Sequence, residues 1–380
     1  MNLKGLQQIQ RPYPATRIIK SIGFISLFLV ILYSCTPTEK KEKREVKLIP
    51  NVMQGIGENL AYQKVGLLKL SDYGLFQEPL KNLQPTQMLL PYDLNTPLFT
   101  DYSSKLRFIH IPEGESAEYR EREVLDFPDG TILVKNFFYS ETQLEKGETR
   151  IIETRLLIKE NGSWIALPYI WNEEQSDAFL EITGGSVPVR LSGMDQPFEY
   201  LVPTMLQCKS CHELNGDIMP IGPTVRQLNR NYPYAQGVAN QLQKMVDMQW
   251  LENHPDNQKW PKIAKWDDKK NYSVNERARA YLDINCGHCH RPGGPGKNSG
   301  LDLTVFAQGE HSLGIFKAPV AAGAGSGGLN YDIVPGAPEK SILLYRMESN
   351  DPGIKMPELG RGLIHKEGIE LIEKWIKSLK

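Results

Sequence analysis

Apolar residues fall into three regimes along the 380-residue chain. A mainly apolar run extends from Ile22 to Tyr33, with Lys4, Arg11, Arg17 and Lys20 ahead of it. It is shorter than the roughly 20 apolar residues a membrane-spanning helix needs, so it has the form of a signal-peptide core. Residues 36 to 50 (TPTEKKEKREVKLIP) then alternate in charge sign and are almost free of apolar side chains, so they bury no core and read as a tether. From about 51 to 205 the pattern is that of strands. Leu106 to Ile111, Thr131 to Tyr139, Thr149 to Lys159 and Ser163 to Trp171 are β-branched or aromatic runs. Asp129-Gly130, Lys146-Gly147 and Asn161-Gly162 mark the turns between them, and links this short imply antiparallel pairing.

Near Tyr200 the period becomes helical. Val238, Leu242, Met245 and Leu251, with Met248 alongside, place apolar side chains on one face of a helix expected over Gly237 to Glu252. Ser273 and Glu276 have capping-box form and open a helix that runs through Ala278, Tyr281 and Leu282 into Cys286. A short helix is expected over Ile342 to Met347. The last covers Lys366 to Leu379, where Ile369, Ile372, Ile376 and Leu379 share a face. Residues 291–297 (RPGGPGK) and 321–328 (AAGAGSGG) are too rich in Gly and Pro for regular structure. The second of these lacks the Lys-Ser/Thr of a phosphate-binding loop, and close approach to a ligand edge or simple flexibility explains it better.

Composition adds a limit. With 23% charged residues, 40% hydrophobic ones and a net charge of −1, the body is large enough for two or three domains. It carries no nucleic-acid footprint.

The cysteines carry the chemistry. Four of the five lie in two strings, Cys208-Lys209-Ser210-Cys211-His212 and Cys286-Gly287-His288-Cys289-His290. Cysteines one helical turn apart can form thioethers with the two vinyl groups of one porphyrin, and the histidine that follows then lies beneath the iron. The strings therefore read as two covalently attached haems c, with His212 and His290 as proximal ligands. The same atoms have rival readings: one zinc held by four thiolates, two redox disulfides, or inert pairs. Against these stand the histidine after each second cysteine, the lack of a resolving thiol, and the export signal. The fifth cysteine, Cys35, closes Leu32-Tyr33-Ser34-Cys35, which resembles a bacterial lipobox and implies lipidation of Cys35. Acyl chains anchor firmly, at about 0.8 kcal/mol per buried methylene.

The sixth ligands follow from position. Met356, in Lys355-Met356-Pro357 before the last helix, is the expected one for the second haem, with Met347 as runner-up. For the first haem the choice stays open between Met245, Met248, His254, the less favoured Met219, and no ligand at all. His110, His288, His311 and His365 read as packing or surface residues. Trp164, Tyr169 and Trp171, followed by Asn172-Glu173-Glu174, read as sheet core with a charged exit loop rather than a docking patch.

Several segments carry a resemblance. Ile221-Gly222-Pro223, eleven residues on from His212, resembles the Gly-Pro stretch of class I cytochromes c, which implies that the Pro223 carbonyl accepts the proximal imidazole's proton. The C-terminal part resembles class I cytochrome c in its order of elements. Segments 209–213 (KSCHE), 228–230 (LNR), 277–290 (RARAYLDINCGHCH), 299–302 (SGLD), 334–341 (VPGAPEKS), 355–357 (KMP) and 91–101 (PYDLNTPLFTD) together resemble a family of exported bacterial diheme c-type cytochromes, often encoded beside a parallel β-helix protein. That resemblance implies electron transfer with redox partner proteins.

The expected fold class is multidomain α+β: an N-terminal antiparallel β domain followed by two mainly α-helical cytochrome c-like haem domains. The expected divisions are 1–34 signal peptide, 35–50 lipidated cysteine and tether, 51–205 β-rich domain, 206–272 first haem domain and 273–380 second haem domain. The expected protein is an exported lipoprotein on the periplasmic side of the cell membrane or outer membrane of a bacterium, anchored through Cys35. A membrane-anchored electron carrier is favoured over a peroxidase-like diheme enzyme with an open first haem, because no acid/base constellation announces itself near His212. A surface binding lipoprotein ranks lowest.

Overall fold

The computed structural model describes residues 66–145, 147–320 and 322–380, all within one compact unit. The apolar run from Ile22, Cys35 and the tether lie outside the described residues. The strands of the first half are β1 (Leu90–Tyr92), β2 (Ser104–His110), β3 (Ala117–Glu118), β4 (Ile132–Tyr139), β5 (Arg150–Glu160), β6 (Ser163–Trp171), β7 (Ala178–Leu180), β8 (Gly185–Val189) and β9 (Phe198–Val202). Six of them form one antiparallel sheet in the order β1-β2-β4-β5-β6-β7, and β8 and β9 make a separate hairpin.

Both faces of this sheet are covered, which is why its central strands lack a clean polar face. Val134, Leu156, Leu167, Tyr169 and Trp171 pack on one side with Leu70, Leu75 and Leu80. Ile109, Leu133 and Trp164 pack on the other. Trp164 and the pair Tyr169 and Trp171 thus go to opposite faces, as strand alternation requires, and all three are core residues.

The second half corrects the expected fold class. Two mainly α-helical cytochrome c-like haem domains are not present. Between 205 and 260 the described helices are α1 (Met205–His212), α2 (Val225–Leu228) and α3 (Gln241–Asp247). Among them run two short hairpins, β10 (Glu213–Leu214) with β11 (Asp217–Ile218) and β12 (Asn231–Tyr234) with β13 (Gly237–Asn240). A further strand, β14 (Leu251–Glu252), pairs in parallel with β3. The long helix expected over Gly237 to Glu252 is therefore a strand followed by a short helix, divided where Asn240 accepts from the amides of Leu242 and Gln243. Helices of four to eight residues cannot enclose a core of their own. Val225, Leu228, Leu242, Met245 and Trp260 instead complete the core on the Leu133 face of the sheet.

The C-terminal part holds α4 (Val274–Asn285), α5 (Glu310–Leu313), α6 (Ile342–Glu348) and α7 (Lys366–Ser378). Ala278 and Leu282 of α4 meet Leu371, Ile372, Trp375 and Ile376 of α7 in a small helical core. Each fully buried aliphatic side chain there contributes about 1.5–3 kcal/mol. Arg226 and Asp283 tie this core to the preceding segment through a buried forked ion pair at 3.0 to 3.3 Å. Among the described residues no helix is long and apolar enough to cross a membrane.

Candidate functional site

Helix α1 carries the first string. Thr204 and Gln207 form a reciprocal capping box at its start, and Cys208, Cys211 and His212 follow within its two turns. The Nδ1 atom of His212 lies 2.8 Å from the carbonyl oxygen of Met219. A carbonyl only accepts, so Nδ1 holds the proton and Nε2 keeps its lone pair. The acceptor expected from the sequence was Pro223, but that carbonyl takes the amide of Leu125 at 3.2 Å. The β10–β11 hairpin accounts for the change, because it folds Met219 back until its own amide donates to the His212 carbonyl at 2.7 Å.

The second string leaves the end of α4. Its His290 Nδ1 lies 3.0 Å from Ser299 Oγ, and that hydroxyl donates to the Gly296 carbonyl at 2.7 Å. The hydroxyl oxygen is thereby left to accept from the ring, and His290 also presents an unprotonated Nε2. A Cβ at Gly296 would stand 3.0 Å from His290 Nδ1 and 3.1 Å from the Cys289 carbonyl, so a larger residue there would press on the ring. Burial pushes the imidazoles of His212 and His290 down to about 4, which keeps them neutral.

A cavity of ≈ 520 Å³ opens at the second string. Its walls include Cys286, Cys289, His290, Met347 and Met356, together with Val320 and Ala322 from the glycine-rich stretch. The volume lies within the roughly 300–1,000 Å³ of cofactor pockets. Met356 is fixed by Arg361, a residue 6% exposed whose Nη2 shares its two hydrogens among the carbonyls of Arg346, Met347, Ser349 and Met356 at 2.7 to 3.3 Å.

At the first string the cavity is smaller, ≈ 90 Å³, and its walls are shared. Cys208, Cys211 and His212 line it with Cys286, His288, Met347 and Met356 of the second half, and with Lys135 and Arg155 of the sheet. The strings also share a wall. Cys211 and Cys289 both line the larger cavity, and their nearness, helped by His288, holds Cys211 down and Cys289 up. Burial raises the Cys208 thiol, and it pushes Cys286 up to about 12. All four string cysteines are free. Among the described residues no three His, Cys, Asp or Glu side chains gather as a metal-ion cluster, so a preformed zinc tetrathiolate is not supported.

The other candidates lie elsewhere. Met245 is 1% exposed within the sheet-side core, and Met248 packs against the same core. His254 Nδ1 faces the Pro255 carbonyl, with its ring edge-on to Trp260. None of these three lines the cavity at the first string. His365, read from the sequence as a packing or surface residue, does pack, but on the wall of that cavity: its ring stacks on Phe99 at 4.1 Å and its Nδ1 meets Tyr281 Oη at 3.0 Å.

Sequence reasoning passed over Arg107, Lys135 and Arg155. The available signal was a basic residue at an inward-facing position of each of three apolar strands. It also gave no role to Ser299 or Arg361, whose partners are brought close only by folding. Protein-family models, curated proteins and solved structures were each compared with the chain, and none matches it.

Proposed function

We propose that this chain is a diheme c-type cytochrome that carries electrons. Cys208 and Cys211 bind one haem and Cys286 and Cys289 the other, with His212 and His290 as proximal ligands and Met356 as sixth ligand at the second. The observation that carries the reading is the matched state of the two imidazoles. Each has Nδ1–H committed to an oxygen, 2.8 Å for Met219 and 3.0 Å for Ser299, which leaves Nε2 as an oriented, basic donor behind a pair of free thiols. A c-type haem brings its own four nitrogen ligands and, when bound, supplies an iron that gains and loses single electrons. The protein then needs only axial donors, and this agrees with paired cysteines that are not gathered around one ion.

The shared cavity wall of Cys211, Cys286 and Cys289 supports a relay, because it puts the two attachment points close together in one compact unit. Arg361 and Ser299 hold Met356 and His290 still through fixed hydrogen bonds, which limits reorganisation between redox states. The cavity at the second string has the size of a cofactor pocket. The lipobox-like sequence before Cys35 adds an exported, lipid-anchored position on the periplasmic side of a bacterial cell membrane or outer membrane, facing redox partner proteins.

The test is a count of porphyrins per chain by intact mass and pyridine haemochrome, on protein matured in a host that attaches haem c. Two per chain are expected. A mass equal to polypeptide plus lipid would overturn the reading.

A further inference from the structure

Three cations stand in register across the middle of the sheet. Arg107 of β2 lies opposite Lys135 of β4, and Lys135 lies opposite Arg155 of β5. The next row on the same face is Lys105, Phe137 and Glu153. Like charges placed directly opposite one another weaken a sheet, and these sit between two apolar clusters, one around Leu133 and one around Phe137 and Tyr200.

The carboxylates nearby are already engaged. Asp93 takes Arg107 at 2.7 Å and Arg230 at 2.8 Å. Glu153 takes Arg155 Nε at 2.8 Å and the Tyr200 hydroxyl at 2.6 Å. What remains is positive. Arg107 is 4% exposed, and its Nη2 is buried without a hydrogen-bond partner among the described residues. The Lys135 ammonium rests 4.7 Å from the centre of the Phe137 ring and has no carboxylate within ion-pair distance among the described residues. Burial first, and then Arg107, Arg155 and Lys105, push it well below the ordinary lysine value. Arg107, Lys135 and Arg155 all line a cavity of ≈ 80 Å³ whose wall also includes Cys208 and His212. An arrangement of this kind is costly when empty of charge and favourable once an anion enters.

We propose that Arg107, Lys135 and Arg155 form a seat for a carboxylate beside the first string, filled either by a propionate of the first haem or by a small free carboxylate. The propionate source rests on the haem reading given above; the free source does not. Arg107 offers the orphan N–H of its fork, Arg155 holds Glu153 out of the way, and Lys135 supplies the charge between them. The seat assigns the β sheet a direct part in the redox site, because cations held near an iron favour its reduced, less positive state.

The experiment uses the full chain matured in a haem c-competent host, as wild type, Lys135→Gln and Lys135→Arg, with haem counted first. Lys135→Met is the second charge-free variant should Lys135→Gln fail to accumulate. In a spectroelectrochemical titration the charge-free variant is expected to lower the reduction equilibrium of one haem about tenfold, about 59 mV for one electron. The other haem stays unchanged, and Lys135→Arg keeps the wild-type potential. Sodium formate, titrated calorimetrically, probes the free source. Formate that binds wild type but not the charge-free variant assigns the seat to a free carboxylate, whereas a shifted potential without formate binding assigns it to a propionate. Unmoved potentials together with no formate binding to wild type overturn the seat, even with two haems counted. A chain without haem that still takes formate through Lys135 keeps the seat and overturns the cytochrome reading instead.

Discussion

Cys211 and Cys289, the second cysteines of two distant strings, line the wall of one cavity. Their nearness makes a prediction for chains made without haem. Mild oxidation with oxidised glutathione should couple Cys211 to Cys289, with loss of two hydrogens from the protein and two electrons to the oxidant. Non-reducing peptide mapping checks it; finding only pairs within each string would show that the two sulfurs do not come together.

Ser299 is the acceptor that fixes His290. Replacing it with Ala removes the oxygen that draws on Nδ1–H, so the ring becomes a poorer donor through Nε2. In the proposed cytochrome the potential of the haem at His290 should rise while that of the haem at His212 stays in place, since Met219 is untouched. Redox titration of Ser299→Ala against wild type reads this directly.

Arg361 holds the Met356 loop by four backbone carbonyls. Met356→Ala should lower the potential of one haem by removing a thioether that favours ferrous iron. Arg361→Ala should do the same indirectly and also reduce thermal stability, because the buried Met347 carbonyl would be left without this donor, at a cost of about 1–3 kcal/mol. Lysine should not rescue it, since one ammonium cannot reach both these carbonyls and Asn350 Oδ1, which the other arm of Arg361 takes at 3.1 Å. The methionine-to-iron charge-transfer band and the melting temperature are the two readouts.

Asp283 accepts both arms of Arg226 and the amide of Val305 at 3.0 Å, and its side chain is 2% exposed. Asp283→Ala strands a nearly buried guanidinium, and breaking such a pair from one side costs about 3–5 kcal/mol. Urea unfolding should show the loss. A change under 1 kcal/mol would mean that the fork is not formed in solution.

The capping box of α4 gives an acid dependence. The hydroxyl of Ser273 and then its amide donate to Glu276, and together they hold that carboxyl below its usual value. A depressed carboxyl stabilises the fold above the unfolded-state value, and that contribution fades as the pH falls through the folded-state value. Melting temperatures of wild type and Glu276→Gln, measured from neutral to acid pH, should therefore converge on acidification.

Local pattern was a good guide where the cause is local. The runs at Leu106, Thr131, Thr149 and Ser163 became strands because alternation and glycine turns act within a few residues, and the apolar stripe of Ile369, Ile372 and Ile376 became α7. The span from Gly237 to Glu252 misled, since its helical period is also compatible with a hairpin strand capped by Asn240, and the sheet offered that strand's continuation a core. The expected sixth-ligand candidates Met245 and Met248 were drawn into that same core.

The amino-acid sequence by itself determined the chemistry that a few adjacent residues can state: two Cys-x-x-Cys-His strings, a signal-like apolar run, and the strands of a sheet. Only the tertiary structure decided that one compact unit carries both strings, that Met219 rather than Pro223 accepts the hydrogen bond of His212, and that three cations converge beside Cys208. Each of these depends on groups far apart in the chain, whose pairing is set by which apolar faces must be buried together, and no periodicity along the backbone records that choice.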